Sequence, residues 1–362
     1  MKAIAFYLPQ YHECEDNNRW WGKGYTEWRN VKSSRKLFWS HNQPRVPLDQ
    51  NYYDLSDISV MVRQAELAKK YGLYGFAYYH YWFSGKKLLE KPLEQMLRFK
   101  EVDMPFCLAW ANEAWKRYWY GGGEETLIAQ NYGFREEWEE HFAYLLPFFR
   151  DDRYIKIDGK PLFLIYRPGE MRQGKYMAKL WNRLAVENGF PGIFIMGMKN
   201  WEFETDRCTW LDAKTDYEPA KEQRNRIVKK YGLRKGQFKD LFDFGLYNRI
   251  FCNVQSYRKI NRVMLREKHE SDDYRGVFVD FDNSARAGKN GLIFMGSTPQ
   301  RFEKYLYRHL CLSRKEKKDM IFINAWNEWG EGCCLEPDER YGYGYLEAVK
   351  RALSRLEMEA AL

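Results

Sequence analysis

Short apolar runs recur along the chain. Each ends in polar and aromatic residues and gives way to a stretch with helical spacing. The runs predict eight strands: Ala3 to Leu8, Leu73 to Tyr79, Pro105 to Trp110, Pro161 to Tyr166, Gly192 to Met198, Leu211 to Tyr217, Gly276 to Phe281 and Met320 to Ala325. Between and after them, helical spacing covers Asp57 to Tyr71, Lys87 to Phe99, Phe134 to Phe149, Lys175 to Asn188, Tyr247 to about Lys268, Pro299 to Leu312 and Tyr345 to Glu357. In the first of these helices Ile58, Met61, Val62, Ala65 and Ala68 share one face, and Gly72 ends it. Eight strands alternating with helices predict the α/β class and a (β/α)8 TIM-type barrel with long βα loops. We expect one domain over residues 1–362, with an insert at about 219–246. A doubly wound sheet would want a glycine-rich phosphate loop after the first strand, and LPQYHECED is not one.

A barrel of this kind builds its active site at the C-terminal ends of its strands. There the sequence sets His80, Asn112, Glu113, Tyr166, Asp216, Asp282, Asn327 and Glu328. The densest stretch is IFINAWNEWGEGCCLEP, Ile321 to Pro337. A buried strand breaks there into Trp326, Asn327, Glu328, Trp329, Gly330, Glu331 and Gly332. In a continuing strand Glu328 and Glu331 would face opposite ways; the two glycines permit a turn that brings both to one cavity. Paired carboxylates beside aromatic rings suit glycosidic-bond chemistry, one as acid and one as base. Of the two, Glu331 as the acid is expected to carry the raised pKa. Surface acids beside core tryptophans are the bland alternative.

The other candidates divide the same way. Tyr78, Trp82 and Trp110 either stack on sugar rings or pack the barrel against its helices. His80 is a pocket donor or a satisfied core histidine; a metal shared with His12 has less support, because no second ligand stands at a fitting spacing. Asn112 and Glu113 could bind hydroxyls, with Glu113 paired to Arg117 as the rival reading. Tyr25, Glu27 and Trp28, on the first long loop, could roof the pocket. Asp216 and Asp282 are barrel-top hydrogen-bonding candidates. Gly121, Gly122 and Gly123 read as a loop and not as a phosphate cradle.

Aromatic residues make up 18% of the chain, with 14 Trp and 27 Tyr, more than a core requires and suited to sugar stacking. The formal charge is +9, and Lys221 to Lys239 carries eight basic residues against one acid. That segment is a solvated face or a contact for phosphates, whether of an anionic membrane or of a diphosphate-linked sugar, so it is a candidate for peripheral membrane contact. No nucleic-acid module is evident. Seven cysteines without a CxxC pair point to a reducing compartment. The start MKAIAFYLPQ is too short an apolar run for a signal peptide, and no run is long enough to span a bilayer. These features predict a cytoplasmic protein, with the inner face of the membrane as a candidate station.

The blocks FYLPQYH, RWWGKGYTEWRNV, QPRVPLDQNYYDL, YGFAYYHYWFSGKKLLEKPL, PFCLAWANEAW, YIKIDGKPLFLIYRP and FINAWNEWGEGCCLEPDERYGYGYLEA run from Phe6 to Ala348. Through them the chain resembles the WbsX-like family of bacterial surface-polysaccharide biosynthesis proteins, often labelled glycosyltransferases. More distantly it is similar to glycoside hydrolase family 99, endo-acting α-mannosidases and α-mannanases on a (β/α)8 barrel. That family's NEWHE stretch maps onto Asn327, Glu328, Trp329 and Glu331, and Gly330 stands where it has His. The resemblance implies a retaining mechanism without an enzyme nucleophile. Glu328 would deprotonate the sugar 2-hydroxyl, which attacks the anomeric carbon to give a 1,2-anhydro sugar. Glu331 would protonate the departing oxygen and later activate water or another acceptor.

The expectation is therefore an enzyme acting on glycosidic bonds in lipopolysaccharide, O-antigen or capsule biosynthesis, by hydrolysis or by transfer. Glu328 and Glu331 are its catalytic pair. Tyr7, Gln10, Tyr25, Glu27, Trp28, Tyr78, His80, Trp82, Trp110, Asn112, Glu113, Tyr166, Asp216, Trp326 and Asn327 are the substrate-binding candidates. Neither metal nor cofactor is called for. The partner is an oligosaccharide or lipid-linked glycan. A non-catalytic glycan-binding or scaffold protein is the rival of a different class.

Overall fold

The computed structural model describes residues 1–118, 124–200, 203, 205–220 and 252–360. Gly121 to Gly123, the basic run Lys221 to Lys239 and the predicted start of a helix at Tyr247 lie outside them. The barrel strands are β1 (Lys2–Tyr7), β2 (Gly75–Phe83), β3 (Phe106–Trp110), β4 (Lys160–Ile165), β5 (Phe194–Lys199), β6 (Ala213–Asp216), β7 (Asp273–Tyr274, then Gly276–Phe278) and β8 (Met320–Asn324). Every contact between neighbouring barrel strands is parallel. The first half of β7 pairs with β6 and the second half with β8, so the sheet closes on itself across Arg275.

The chain is therefore a (β/α)8 barrel. The helices are α1 (Glu15–Trp21), α2 (Trp28–Ser33), α3 (Ile58–Lys70), α4 (Lys91–Arg98), α5 (Arg135–Phe149), α6 (Gly174–Glu187), α7 (Tyr257–Met264), α8 (Ser284–Ala287), α9 (Pro299–Lys315) and α10 (Gly344–Ala360), with α2 and α8 lying against the turn that follows β8. Two predicted elements change. Lys86–Leu88 pairs antiparallel with the end of β2, so α4 starts at Lys91. Residues 253–256 form a strand with Leu292–Met295 and precede α7.

The strands are buried on both faces, which explains their nearly unbroken apolar runs. Alternation then decides which side chain looks inward. Phe6 stacks on Tyr79 and Phe322 and meets Tyr217 edge-on, a layer of rings inside the barrel. Tyr7, one residue on, turns outward and donates its hydroxyl to Gln64 on α3 at 2.6 Å.

Candidate active site

The stretch after β8 is a pinned hairpin. Asn327–Glu328 pairs antiparallel with Cys333–Cys334, and the turn Trp329–Glu331 joins them through left-handed Gly332. Asn327 accepts from the backbone N–H of Leu8 at 2.7 Å and donates to the Leu8 carbonyl at 3.0 Å, which ties the turn to the end of β1. The Tyr11 hydroxyl donates to the Asn327 carbonyl at 2.7 Å and accepts from the Trp329 N–H at 3.1 Å. Asn327 is thus a fastening within the fold, and a sugar hydroxyl would find its side chain already engaged. Trp28, expected at the pocket roof, packs on Trp329 and Tyr11 and donates its indole N–H to the Tyr53 carbonyl, bracing the same turn from behind.

The turn presents Glu328 and Glu331 to a residue the sequence did not single out. Arg286, on α8, donates through Nε to Glu27 (2.6 Å), through one terminal nitrogen to Glu331 (2.8 Å) and through the other to Glu328 (3.1 Å). One guanidinium thus gathers three carboxylates. Glu27 and Glu328 are nearly enclosed, while Arg286 and Glu331 keep 30% and 22% of their side-chain surface open to solvent. Gly330 lies under this cluster. A Cβ there would stand 2.1 Å from a Glu27 oxygen and 2.8 Å from Arg286 Nε. Position 330 is glycine because the ion pair fills its side-chain space, not because the turn demands it.

Three carboxylates against one cation leave an excess of negative charge. Burial pushes Glu328 up to about 8; Arg286 opposes the rise, and the charges of Glu331 and Glu27 add to it. Burial raises Glu331 as well, again opposed by Arg286. The expectation placed the raised carboxyl at Glu331; both rise, and the rise to about 8 falls on Glu328, the more enclosed of the two. Burial alone would lower Arg286, but its three carboxylate neighbours hold it firmly charged.

The walls follow from strand parity. Tyr79 and Tyr217 share a hydroxyl–hydroxyl bond of 2.8 Å inside the barrel, and the charge of Glu328 reaches both. The Tyr81 hydroxyl accepts from Gln10 at 3.0 Å and also feels Glu328. Tyr166 stands edge-on to Tyr217. Tyr25 feels Glu27 and Arg286. Glu27, Gln10, Tyr25 and Tyr166 therefore gather around Glu328 and Glu331.

Other expected pocket residues lie elsewhere. Tyr7, Tyr78, His80, Trp82, Trp110 and Trp326 all take the helix-facing side of the strands. His80 shares a 2.8 Å contact with His141 of α5, and burial lowers it to about 3, so it is neutral. Trp82 stacks on the same His141 ring at 4.5 Å. The placement of all six is corrected, and for three of them one alternation is the reason: in β2, residues 78, 80 and 82 point out, and 79 and 81 point in. Asn112 is spent on the Arg167 backbone, accepting from its N–H and donating to its carbonyl, and so ties the ends of β3 and β4 together. Glu113 pairs with Arg167 instead of Arg117.

Asp216 also faces outward, bonded to His269 at 2.6 Å and Lys199 at 2.9 Å. With Glu267 and His269 it could offer ligand atoms to a metal, but Lys199 already lies 2.9 Å from both Asp216 and Asp273, and a lysine supplies the balancing charge. Asp282 lies behind the site: it accepts from His41 and Gln43, and its N–H donates to the Glu331 carbonyl.

Comparison with known proteins places this geometry in context. The family model described as Glycosyltransferase WbsX matches residues 3–349. A protein from Xanthomonas campestris pv. campestris, named Uncharacterized protein WxcX, is 36% identical over 357 residues, covering 97% of this chain and 49% of its own length. The chain thus spans about half the length of the curated relatives it matches. The GH99 endo-alpha-mannosidase from Bacteroides thetaiotaomicron aligns over 99% of this chain and 98% of its own, with a TM-score of 0.57 and 14% identity. A structure titled Glycoside hydrolase-like protein aligns over 97% and 93%, with a TM-score of 0.57 and 11% identity. These structural likenesses show a shared fold.

Proposed function

The chain belongs to the WbsX glycosyltransferase family, and from that premise we propose that it is a carbohydrate-active enzyme that breaks or re-forms a glycosidic bond between Glu328 and Glu331. The observation that carries the reading is the Arg286 fork. One cation serves three carboxylates, and that buried excess of negative charge favours a proton shared within the Glu328–Glu331 pair. One protonated and one ionised carboxyl is the state that acid–base work on a glycoside requires. The aromatic walls and the opening over Arg286 and Glu331 suit a sugar ring.

In the proposed route Glu328 takes the proton of the sugar 2-hydroxyl while that oxygen attacks the anomeric carbon. The bond to the leaving oxygen breaks, and Glu331 gives that oxygen its proton. A 1,2-anhydro sugar remains. Glu331 then deprotonates water or an acceptor hydroxyl, which opens the anhydro ring at the anomeric carbon, and the 2-oxygen recovers its proton from Glu328. In the free site burial favours the proton on Glu328. A sugar hydroxyl donating to Glu328 stabilises the ionised form and moves the proton toward Glu331. Arg286 keeps both carboxyls in place during the exchange. Its nitrogens already hold the three acids, so we assign it a positioning role.

We further propose an oligosaccharide or lipid-linked glycan of bacterial surface-polysaccharide assembly as the substrate, with an α-mannoside as the first to try. Product analysis with and without an added sugar acceptor is the test. Free reducing sugar identifies hydrolysis, and an elongated glycan identifies transfer. A protein that binds glycan yet yields neither product from α-mannoside and lipid-linked donors would be a binding or scaffold protein, and the proposal would fall.

A further inference from the structure

Between α2 and the end of the first βα loop, the chain exposes one large apolar side chain almost completely. Trp39 is 97% accessible, far above the other exposed large hydrophobics among the described residues. Its loop is held rigidly at the base. The Leu37 N–H donates to His41 Nδ1 at 3.1 Å, so the ring proton sits on Nε2, which donates to Asp282 Oδ2 at 2.8 Å. Phe38 stacks on the His41 ring at 4.7 Å. The Asp282 N–H in turn donates to the Glu331 carbonyl. The loop is therefore a fixed projection, joined through two side chains to the turn that carries Glu331.

The exposed charges of the segment itself have one sign. Arg29, Lys32, Arg35 and Lys36 are all exposed, and residues 28–40 contain no acid. Arg29 reaches the Trp21 carbonyl and Lys32 lies over the Tyr52 ring; among the described residues none of the four pairs with a carboxylate. A tryptophan tip with Leu37 and Phe38 half-buried behind it, on a cationic collar, fits the interfacial layer of a bilayer, where an indole sits at headgroup level and lysines meet lipid phosphates. A protein partner would need roughly 1,000 Å² of matched surface for a stable contact, which so narrow a projection does not offer by itself.

We propose that residues 34–40 form a membrane-docking loop that seats Trp39 in the headgroup layer of an anionic bilayer, with Arg29, Lys32, Arg35 and Lys36 against its phosphates.

The test is co-sedimentation of the whole chain with vesicles of equal parts phosphatidylglycerol and phosphatidylcholine, and with phosphatidylcholine alone. Binding is expected only to the first, weakening as salt rises. Trp39→Ala changes no charge and is expected to weaken binding about tenfold. Lys36→Glu is expected to weaken it at least fivefold. Because the basic run at Lys221 to Lys239 could itself hold vesicles, insertion of Trp39 is read separately. Brominated lipid should quench wild-type fluorescence more than that of Trp39→Phe. Equal quenching, equal binding by Trp39→Ala, or no binding to anionic vesicles would each overturn the proposal. So would a dimer seen by light scattering that Trp39→Ala dissolves while vesicle binding is unchanged.

Discussion

Two groups of buried acid lie within a few residues of each other after β8, and they do opposite things. Glu336 is enclosed by neutral donors: Trp329 Nε1 at 2.7 Å, the Tyr53 hydroxyl at 2.8 Å and the Gln64 amide nitrogen Nε2 at 2.7 Å. Burial pushes it up to about 7, and those bonds restrain the rise. Glu328 is equally enclosed and rises to about 8, but its neighbours are a guanidinium and two more carboxylates at the solvent-exposed edge of the site. A raised carboxyl alone therefore does not mark chemistry. What separates the two is the surplus of like charge: Glu336 fastens Trp329 from behind among neutral donors, and Glu328 shares one guanidinium with Glu27 and the part-exposed Glu331.

The largest expected effect tests that separation directly. Glu328→Gln should lower turnover by about 10²–10⁴-fold while the protein melts no lower than the wild type, since general acid–base groups contribute on that scale. Glu336→Gln should do the reverse. An amide turns a donor toward a site built of donors, so about 1–3 kcal/mol of stability should go, while turnover falls by less than about tenfold. Thermal melts and initial rates on the two variants decide it, and matching profiles would erase the distinction.

A smaller loss is expected from Gly330→Ala. The new methyl takes the place of the Glu27–Arg286 pair, and a displacement of about 1 Å at the reacting groups costs on the order of 10²-fold in rate. Trp329 packing behind the turn should persist, so the near-ultraviolet circular dichroism should stay that of the wild type. A fully active Gly330→Ala protein would remove Arg286 from its positioning role.

The smallest effect is one of pH. A carboxyl whose folded pKa lies above its unfolded value holds its proton more tightly in the folded state, so its contribution to stability is complete below the unfolded pKa and is lost as pH rises through the folded one. For Glu328 that window runs from the ordinary glutamate range up to about 8. The melting temperature should fall across it by a few degrees, and Glu328→Gln should flatten the fall. A wild-type curve already flat over that window would mean Glu328 is ionised throughout.

Much of this architecture is legible along the chain. Eight apolar runs mark eight strands because a strand covered on both faces must be apolar along its whole length. The turn after β8 announces itself by two glutamates, two tryptophans and two glycines in a few residues. Its hairpin geometry is local, so the nearness of Glu328 and Glu331 could be read before any packing was known.

What packing alone decided is which aromatic face looks inward and where the cation comes from. In GFAYYHYWF both sets of alternating positions are aromatic, so period-two reasoning offers no polarity contrast to orient the strand. The closed barrel settles that Tyr79 and Tyr81 face the site while Tyr78, His80 and Trp82 meet the helices. Arg286 sits in SARAG, a short helix with nothing to distinguish it from any surface arginine. Its role exists only because the fold brings Glu27 from the first loop and Glu328 and Glu331 from the last to the same few ångströms. Charge balance is a property of positions in space, and residues 259 apart in sequence, as Glu27 and Arg286 are, carry no local sign of it.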